Sequence, residues 1–103
     1  MNWSIIILTT NYKEIAEYFC NEAVYCGRRR SSTETHIWSD FITIDIYPYN
    51  QYIDKLRGHK ADIIYLEDEA YNDEEIRGMC KGLCPFGVVL PISYLYKRIN
   101  YEK

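Results

Sequence analysis

The spacing of hydrophobic residues changes along the first quarter of the chain. Residues 4–9 form a short, mostly β-branched run, which is typical of a strand covered on both faces of a parallel sheet. Over residues 11–26 the apolar positions recur every three to four residues, and this spacing predicts an amphipathic helix. Asn11 and Glu14 fit a capping box at its start, and Gly27 would end it. Because such a helix must fold back to bury its apolar stripe, the pair predicts an α/β fold.

Apolar and polar residues alternate in the middle of the chain. Residues 41–47 alternate strictly, which predicts a half-exposed strand near a sheet edge. Residues 36–38 predict a second strand that forms a hairpin with it through a turn at residues 39–40. Residues 28–32 are polar and predict a connection. Residues 47–52 predict a turn, because they contain a proline, which cannot donate to a strand ladder.

The last part of the chain predicts two further pairs of a strand and a helix. Residues 61–66 form an apolar strand, and the helix after it has Asn72 or Asp73 as its N-cap. Residues 86–90 predict another strand, and residues 92–101 predict a terminal helix that begins after a proline. The predicted order β-α-β-β-β-α-β-α favours an α/β architecture with a small, mainly parallel sheet and flanking helices.

The length and composition are those of one globular domain. The chain has 103 residues, of which 48% are hydrophobic and 26% charged, so we expect a single α/β domain over residues 1–103. The net charge of −3 gives no overall basic field, so any contact with nucleic acid would have to be local. The longest apolar run, Ile5–Leu8, is too short to span a bilayer, and no basic leader precedes it. The sequence therefore predicts a cytoplasmic protein with no membrane partner.

The four cysteines do not match a common zinc-site spacing. Cys20 and Cys26 are six residues apart, and Cys80 and Cys84 are four apart, whereas zinc knuckles usually use a C-x2-C pair. On one helix, the first pair would also point in different directions. We therefore expect free, buried thiols and no zinc.

Three acids directly follow the predicted strand at residues 61–66. In parallel α/β sheets ligands bind at the carboxyl ends of the strands, where carboxylates are held rigidly. Glu67 and Asp68 are therefore candidate ligands of Mg²⁺, and Asp68 and Glu69 are candidate catalytic acids that could polarise a water molecule. The alternative interpretation is that all three acids form a solvated loop that starts the next helix.

Residues 56–70, LRGHKADIIYLEDEA, resemble the Walker B region of the large terminase subunits, the ATPase motors that package phage DNA. In that family an Arg-Gly pair precedes a hydrophobic strand that ends in two acids. A weaker likeness extends over residues 4–94, through LTTNYKEIAEYF, DFITIDIY and VVLPIS. The resemblance implies a truncated fold similar to that of P-loop NTPases.

The resemblance also implies roles for individual residues. Glu67 or Asp68 would be the acid associated with Mg²⁺, and Asp68 or Glu69 the acid that polarises water. Ser93 would be the polar residue of the strand that carries the family's coupling motif. Arg57 would belong to the loop before the Walker B strand.

The phosphate-binding motif of such ATPases is missing. No G-x-x-x-x-G-K-[ST] sequence occurs, and the five glycines form no other glycine-rich cradle. Without backbone amides and a lysine around the phosphates, nothing would offset repulsion between the acids and a triphosphate. We therefore expect a non-catalytic protein-binding or regulatory module, encoded by a phage or a mobile element, such as a regulator or decoy of the motor.

Two other functions remain open. One is a Mg²⁺-dependent ATPase or nuclease component that a partner completes. The other is a single-stranded nucleic-acid binder, in which arginines contact phosphates and aromatic rings stack on bases. A homodimer through an unpaired sheet edge is also expected. The candidate binding residues are Arg28, Arg29, Arg30, Trp38, Tyr47, Tyr49, Tyr52 and Arg57.

Overall fold

The computed structural model describes residues 3–21, 27–52, 56 and 59–99. These residues form six strands and five helices. The strands are β1 (Trp3–Thr9), β2 (Gly27–Arg30), β3 (Thr35–Trp38), β4 (Ile42–Pro48), β5 (Ile63–Leu66) and β6 (Val88–Pro91). The helices are α1 (Tyr12–Cys20), α2 (Tyr49–Tyr52), α3 (Asp68–Tyr71), α4 (Glu74–Gly82) and α5 (Ile92–Arg98). None of these helices has the length and apolar character needed to cross a membrane.

All six strands form one mixed sheet in the order β2-β3-β4-β1-β5-β6. Strands β4, β1, β5 and β6 are parallel, whereas β3 pairs antiparallel with both β4 and β2. The α/β class is therefore confirmed, with β1 in the interior of the sheet as its unbroken apolar run predicts. The sheet is mixed because a tight hairpin adds antiparallel strands without a crossover helix.

The polar segment after α1 is a strand and not the predicted connection. Gly27–Arg30 forms β2 at one edge of the sheet, so Gly27 begins a strand and does not end a helix. Because three of its four residues are arginines, this strand has no hydrophobic pattern that would predict it. Its pairing with β3 is made by backbone hydrogen bonds. Helix α1 ends at Cys20, and the rest of the helix predicted up to Cys26 lies outside the described residues.

Two further predictions were wrong for the same part of the sheet. Strand β4 does not lie near an edge, because β3 and β2 extend the sheet beyond it. Residues 47–52 do not form a turn, since Tyr47 and Pro48 continue β4 and the short helix α2 follows. Pro48 is tolerated because it is the last residue of the strand.

Helices cover both faces of the sheet and enclose two apolar cores. Helices α1 and α5 cover one face, where the core contains Ile7, Ile15, Phe19, Ile37, Ile44, Ile46, Tyr65, Ile92 and Leu95. Helices α3 and α4 cover the other face, where the core contains Ile6, Leu8, Ala61, Ile64, Leu66, Ala70, Cys80, Cys84 and Val89. Strand β1 contributes to both cores, because successive side chains of a strand point to opposite faces.

The helix starts differ in how they are capped. Asp73 is the N-cap of α4, as predicted, and its Oδ1 accepts hydrogen bonds from the backbone N–H groups of Glu75 (3.0 Å) and Ile76 (3.3 Å). Asn11 is the N-cap of α1, but it makes no side-chain cap. Its Nδ2 instead donates to the hydroxyl of Tyr96 at 3.2 Å, so the predicted capping box is replaced by a contact with α5.

Candidate functional site

Glu67 lies at the carboxyl end of β5 and is bound to the end of β1. Its Oε1 accepts hydrogen bonds from Thr9 Oγ1 and from the backbone N–H of Thr10, both at 2.8 Å. Thr9 is fully buried, and the backbone N–H of Glu67 donates to Leu8 O at 3.2 Å. Hydrogen bonds to a carboxylate are stronger than neutral ones. Glu67 therefore joins two neighbouring parallel strands where both end.

Asp68 is the first residue of α3, and its carboxylate contacts the start of another helix, α5. Its Oδ1 accepts a hydrogen bond from the backbone N–H of Ser93 at 3.3 Å, in the first turn of α5. The N-cap of α5, Pro91, provides no side-chain acceptor. A carboxylate at this position accepts a hydrogen bond from an otherwise unpaired N–H, and its negative charge interacts favourably with the helix dipole. Ser93 is therefore in a helix and not in the strand that the terminase resemblance implies.

Glu69 is exposed in the first turn of α3. Together with Asp68 it places negative charge where the dipole of a helix start favours it. The three acids thus begin a helix, as in the alternative interpretation of this segment, but the carboxylates of Glu67 and Asp68 are bound to other elements and do not form a solvated loop. The described residues provide no group of three or more carboxylate, imidazole or thiol side chains arranged to hold a metal ion. Binding of Mg²⁺ by Glu67 and Asp68 therefore stays a prediction from the sequence.

These acids line an open groove of about 510 Å³ at the carboxyl edge of the sheet, which we call the acid groove. No lysine or arginine is among the described residues that line it. Burial raises the pKa of Tyr49, and the charges of Asp73, Cys80 and Glu69 raise it further. The lining is Thr10, Tyr49, Asn50, Ala70 and Ile76 with the acids Glu67, Asp68, Glu69 and Asp73. The acid groove therefore repels an anion such as a triphosphate.

The arginines predicted to bind nucleic acid do not share one surface. In β2 the side chains alternate, so Arg29 is on the opposite face from Arg28 and Arg30. Arg30 forms a salt bridge with Glu17 of α1, with Nη1 and Oε2 3.2 Å apart, and its Nη2 donates to Lys13 O at 3.3 Å. The structure therefore separates Arg29 from Arg28 and Arg30, and Arg30 is already paired with Glu17.

The aromatic binding candidates are also dispersed. Trp38 is 44% exposed, but Tyr47 is buried and Tyr49 lines the acid groove. The side chain of Tyr52 and all of Arg57 lie outside the described part of the chain. The three cysteines in the described part of the chain, Cys20, Cys80 and Cys84, are free and buried, as predicted, and Cys26 lies outside that part. Burial, with the nearby Cys84, raises the pKa of Cys80 to about 11.

His36 is a polar feature that the sequence analysis did not identify as functional. Its Nδ1 lies 2.7 Å from Asp45 Oδ1, and its Nε2 lies 3.0 Å from Glu34 Oε1. Burial by itself would lower the pKa of His36, but the hydrogen bonds to Glu34 and Asp45 outweigh it and raise the pKa above 6.5. Both ring nitrogens can donate only in the protonated ring. The predicted turn at residues 39–40 would place Thr43 opposite His36, whereas the observed register pairs His36 with Asp45, so the sequence pattern did not reveal this cluster.

Exposed aromatic residues gather at the edge of the sheet opposite the acid groove, where β1, β4, β5 and β6 begin. Trp3 is 52% exposed, Phe41 is 71% exposed and Phe86 is 100% exposed. The backbone N–H of Trp3 donates to Phe41 O at 2.8 Å, so these two residues are neighbours. We call Trp3, Trp38, Phe41 and Phe86 the amino-edge aromatic surface, which includes both faces of the sheet because the register places the side chain of Trp38 on the opposite face from that of Trp3. Apart from Trp38, sequence reasoning missed it, although Phe41 and Phe86 begin predicted strands and Trp3 directly precedes one.

A search with this chain among protein-family models, curated proteins and solved structures found no match in any of the three. The comparisons neither support nor contradict the resemblance of residues 56–70 to terminase subunits, which stays a prediction.

Proposed function

We propose that this protein is a non-catalytic protein-binding module whose amino-edge aromatic surface contacts the partner. The observation that carries the proposal is the exposure of Trp3, Phe41 and Phe86 along one edge of the sheet. Exposure of aromatic side chains to water costs a monomer free energy. Such side chains are enriched in the centres of protein interfaces. A protein partner would cover them and recover that free energy.

The size of the surface is suited to a specific complex. A buried Phe or Trp side chain removes about 150–250 Å² from water. Scaled by the exposed fractions, the four residues offer roughly 500 Å² of aromatic area. A standard interface buries about 800 Å² on each partner. A partner that covers this end of the sheet on both faces could therefore use the amino-edge aromatic surface as the apolar centre of an interface, with neighbouring polar residues as its rim.

The placement of the acids supports a non-catalytic role. Glu67 and Asp68 each use one carboxylate oxygen to connect elements of the fold. The acid groove contains no cationic group to hold phosphates among the described residues. None of the described residues that line the groove could supply the cations that an ATPase or a nuclease needs there. Single-strand binding is less favoured, because Arg28 and Arg29 lie on opposite faces of β2.

The identity of the partner is the part of the proposal that depends on the sequence alone. The resemblance of residues 56–70 to terminase subunits suggests a packaging motor as the regulated partner and a phage or mobile element as the source of the gene. We place the protein's action in the cytoplasm, where such motors work. These statements extend the proposal and do not carry it.

Affinity capture with matched variants tests the proposal. The full chain, Phe41→Ala and Phe86→Ala are immobilised in parallel and incubated with the same lysate. Tyr94→Ala is the matched control, because Tyr94 has the same 52% exposure as Trp3 but lies on α5. We expect a stoichiometric partner with the full chain and with Tyr94→Ala, and a loss of at least about ten-fold with the other two, as for interface hot spots. No stoichiometric partner, or equal loss in all variants, would contradict the proposal.

A further inference from the structure

The two outermost strands of the sheet, β2 and β6, differ in how they are protected from pairing with a further strand. Strand β2 forms one edge and carries Arg28, Arg29 and Arg30, and such charges discourage pairing with another strand. Strand β6 forms the other edge and reads VVLP, without a charge. Val88 on this strand is 44% exposed. The β6 edge is therefore the one that can accept another strand.

The backbone of β6 presents hydrogen-bonding groups outward at one position. The N–H of Val88 donates to Asp62 O at 3.0 Å, so Val88 and Leu90 direct their backbone groups toward β5. Alternate residues of a strand point these groups to opposite sides, so those of Val89 point away from the sheet. Pro91 has no N–H and ends the usable edge.

Helix α4 runs beside this edge and carries opposite charges at its two ends. A groove of about 450 Å³ next to β6 is lined by Val89 together with Glu74, Arg77, Gly78 and Lys81 of α4, and by Tyr71. Arg77 is fixed in place, since its Nη1 donates to Tyr71 O at 3.0 Å and its guanidinium lies 5.2 Å from the centre of the Tyr71 ring. The groove thus has an acid at one end and cations at its middle and far end.

We propose that a second copy of this chain occupies the groove and the β6 edge, forming a symmetric dimer with a continuous sheet. A two-fold axis perpendicular to the sheet beside Val89 makes the two β6 strands antiparallel. The same axis places the two α4 helices side by side in opposite directions. Each Val89 then exchanges two backbone hydrogen bonds with Val89 of the second copy.

The sequence of α4 is self-complementary in this arrangement. Glu74 faces Lys81 of the second copy, and Lys81 faces its Glu74, so two equivalent ion pairs form. Arg77 faces Gly78 of the second copy, where a Cβ would meet no atom within 4 Å in the monomer. The glycine leaves room for the arginine side chain. Charge complementarity and this space favour a second copy over a strand from another protein.

The dimer does not depend on the proposed function, because Trp3 lies on β1 and Phe41 just before β4, and Phe86, although close to the start of β6, does not line the groove. Sedimentation velocity over roughly 10–500 µM full chain measures its dissociation constant. The probes are Glu74→Lys, Lys81→Glu and the double variant. Glu75→Lys is the matched control, since Glu75 has the same charge in the same helical turn but does not line the groove.

We expect a reversible dimer of the wild-type chain. Glu74→Lys and Lys81→Glu should each raise the dissociation constant by about ten-fold or more, because two attractive pairs become repulsive. The double variant should return to within about three-fold of wild type, and Glu75→Lys should leave the constant unchanged. A monomer at the highest concentration overturns the proposal. A dimer that is indifferent to the single variants, or not restored by the double variant, also overturns it.

Discussion

His36 shows how a single side chain acquires its chemistry from the strands around it. The ring lies between Asp45 on the neighbouring strand and Glu34 just before its own strand. With a carboxylate oxygen beside each nitrogen, the protonated ring satisfies both partners, and the neutral ring leaves one nitrogen lone pair facing an anion. The hairpin therefore binds a proton more tightly than the unfolded chain does.

This arrangement makes stability depend on pH in a defined direction. The folded pKa of His36 is raised above 6.5, so its stabilising effect is full below the unfolded pKa and is lost as pH rises through the folded pKa. We expect the free energy of unfolding of wild type minus that of His36→Gln to decrease between about pH 6 and pH 9. Urea denaturation at several pH values measures it. A difference that is constant or grows with pH would contradict the argument.

Glu67 provides a second prediction at the scale of one residue. Glu67→Ala removes the acceptor of two hydrogen bonds, including one from the buried Thr9, and should lower the free energy of unfolding by about 1–3 kcal/mol. Glu67→Gln retains an acceptor oxygen and should lower the free energy of unfolding by less than Glu67→Ala does. The control Glu69→Ala removes the neighbouring exposed acid and should change stability by less than about 0.5 kcal/mol. Urea denaturation compares the three. Equal effects of Glu67→Ala and Glu69→Ala would show that the bonds to β1 contribute little.

At the scale of elements, the junction between β5 and β6 depends on a residue without a side chain. A Cβ built at Gly87 would lie 1.9 Å from the backbone oxygen of Asp62, the atom that accepts the N–H of Val88. The backbone cannot yield in the way a flexible side chain can. Gly87 therefore allows β6 to pair with β5, and the β6 edge with its exposed Val88 depends on that pairing.

Substitution of Gly87 tests this close packing. Gly87→Ala should destabilise the fold by about 1–3 kcal/mol, as overpacking does, and should weaken hydrogen-exchange protection in β6 first. Gly82→Ala is the control, because nothing lies within 4 Å of a Cβ at that position at the end of α4, and it should be neutral or stabilise the fold by up to about 1 kcal/mol. Thermal denaturation and hydrogen exchange provide the measurements. A Gly87→Ala variant as stable as wild type would mean that the strand backbone shifts freely.

The elements also explain which patterns the sequence could reveal. The helix after Asp73 was predictable because its cap and first-turn acids are local signals. Strand β2 was not, because an edge strand of arginines has no hydrophobic periodicity and forms only when β3 is present to pair with it. The same cause moved β4 from the predicted edge to the interior.

On the scale of the whole molecule, the two edges of the parallel strands have opposite characters. The edge where the strands end carries Glu67, Asp68 and Glu69, and the edge where they begin carries exposed Trp3, Phe41 and Phe86. The overall charge of −3 adds to the local field of the acid groove. An anion is repelled at one edge, while an apolar surface is available at the other.

This separation gives a prediction about nucleotides. Isothermal titration of the full chain with Mg²⁺ and ATP should give no heat of binding, and incubation should release no phosphate, because the acid groove repels the triphosphate. Asp68→Asn is expected to behave like wild type. Phosphate release by the wild-type chain that Asp68→Asn abolishes would contradict the non-catalytic proposal and favour an ATPase.

The sequence by itself determined the α/β class, the interior position of β1, the cap of α4 and the buried thiols, because each depends on hydrophobic periodicity or on neighbours within a few residues. Only the tertiary structure decided which groups the carboxylates of Glu67 and Asp68 bind. Thr9 and Ser93 are each 25 or more positions from the carboxylate they bind, and no local pattern encodes such a contact. It also decided that Phe86 and Trp3 share an edge, because strand order depends on how the whole chain packs into two layers of helices around one sheet.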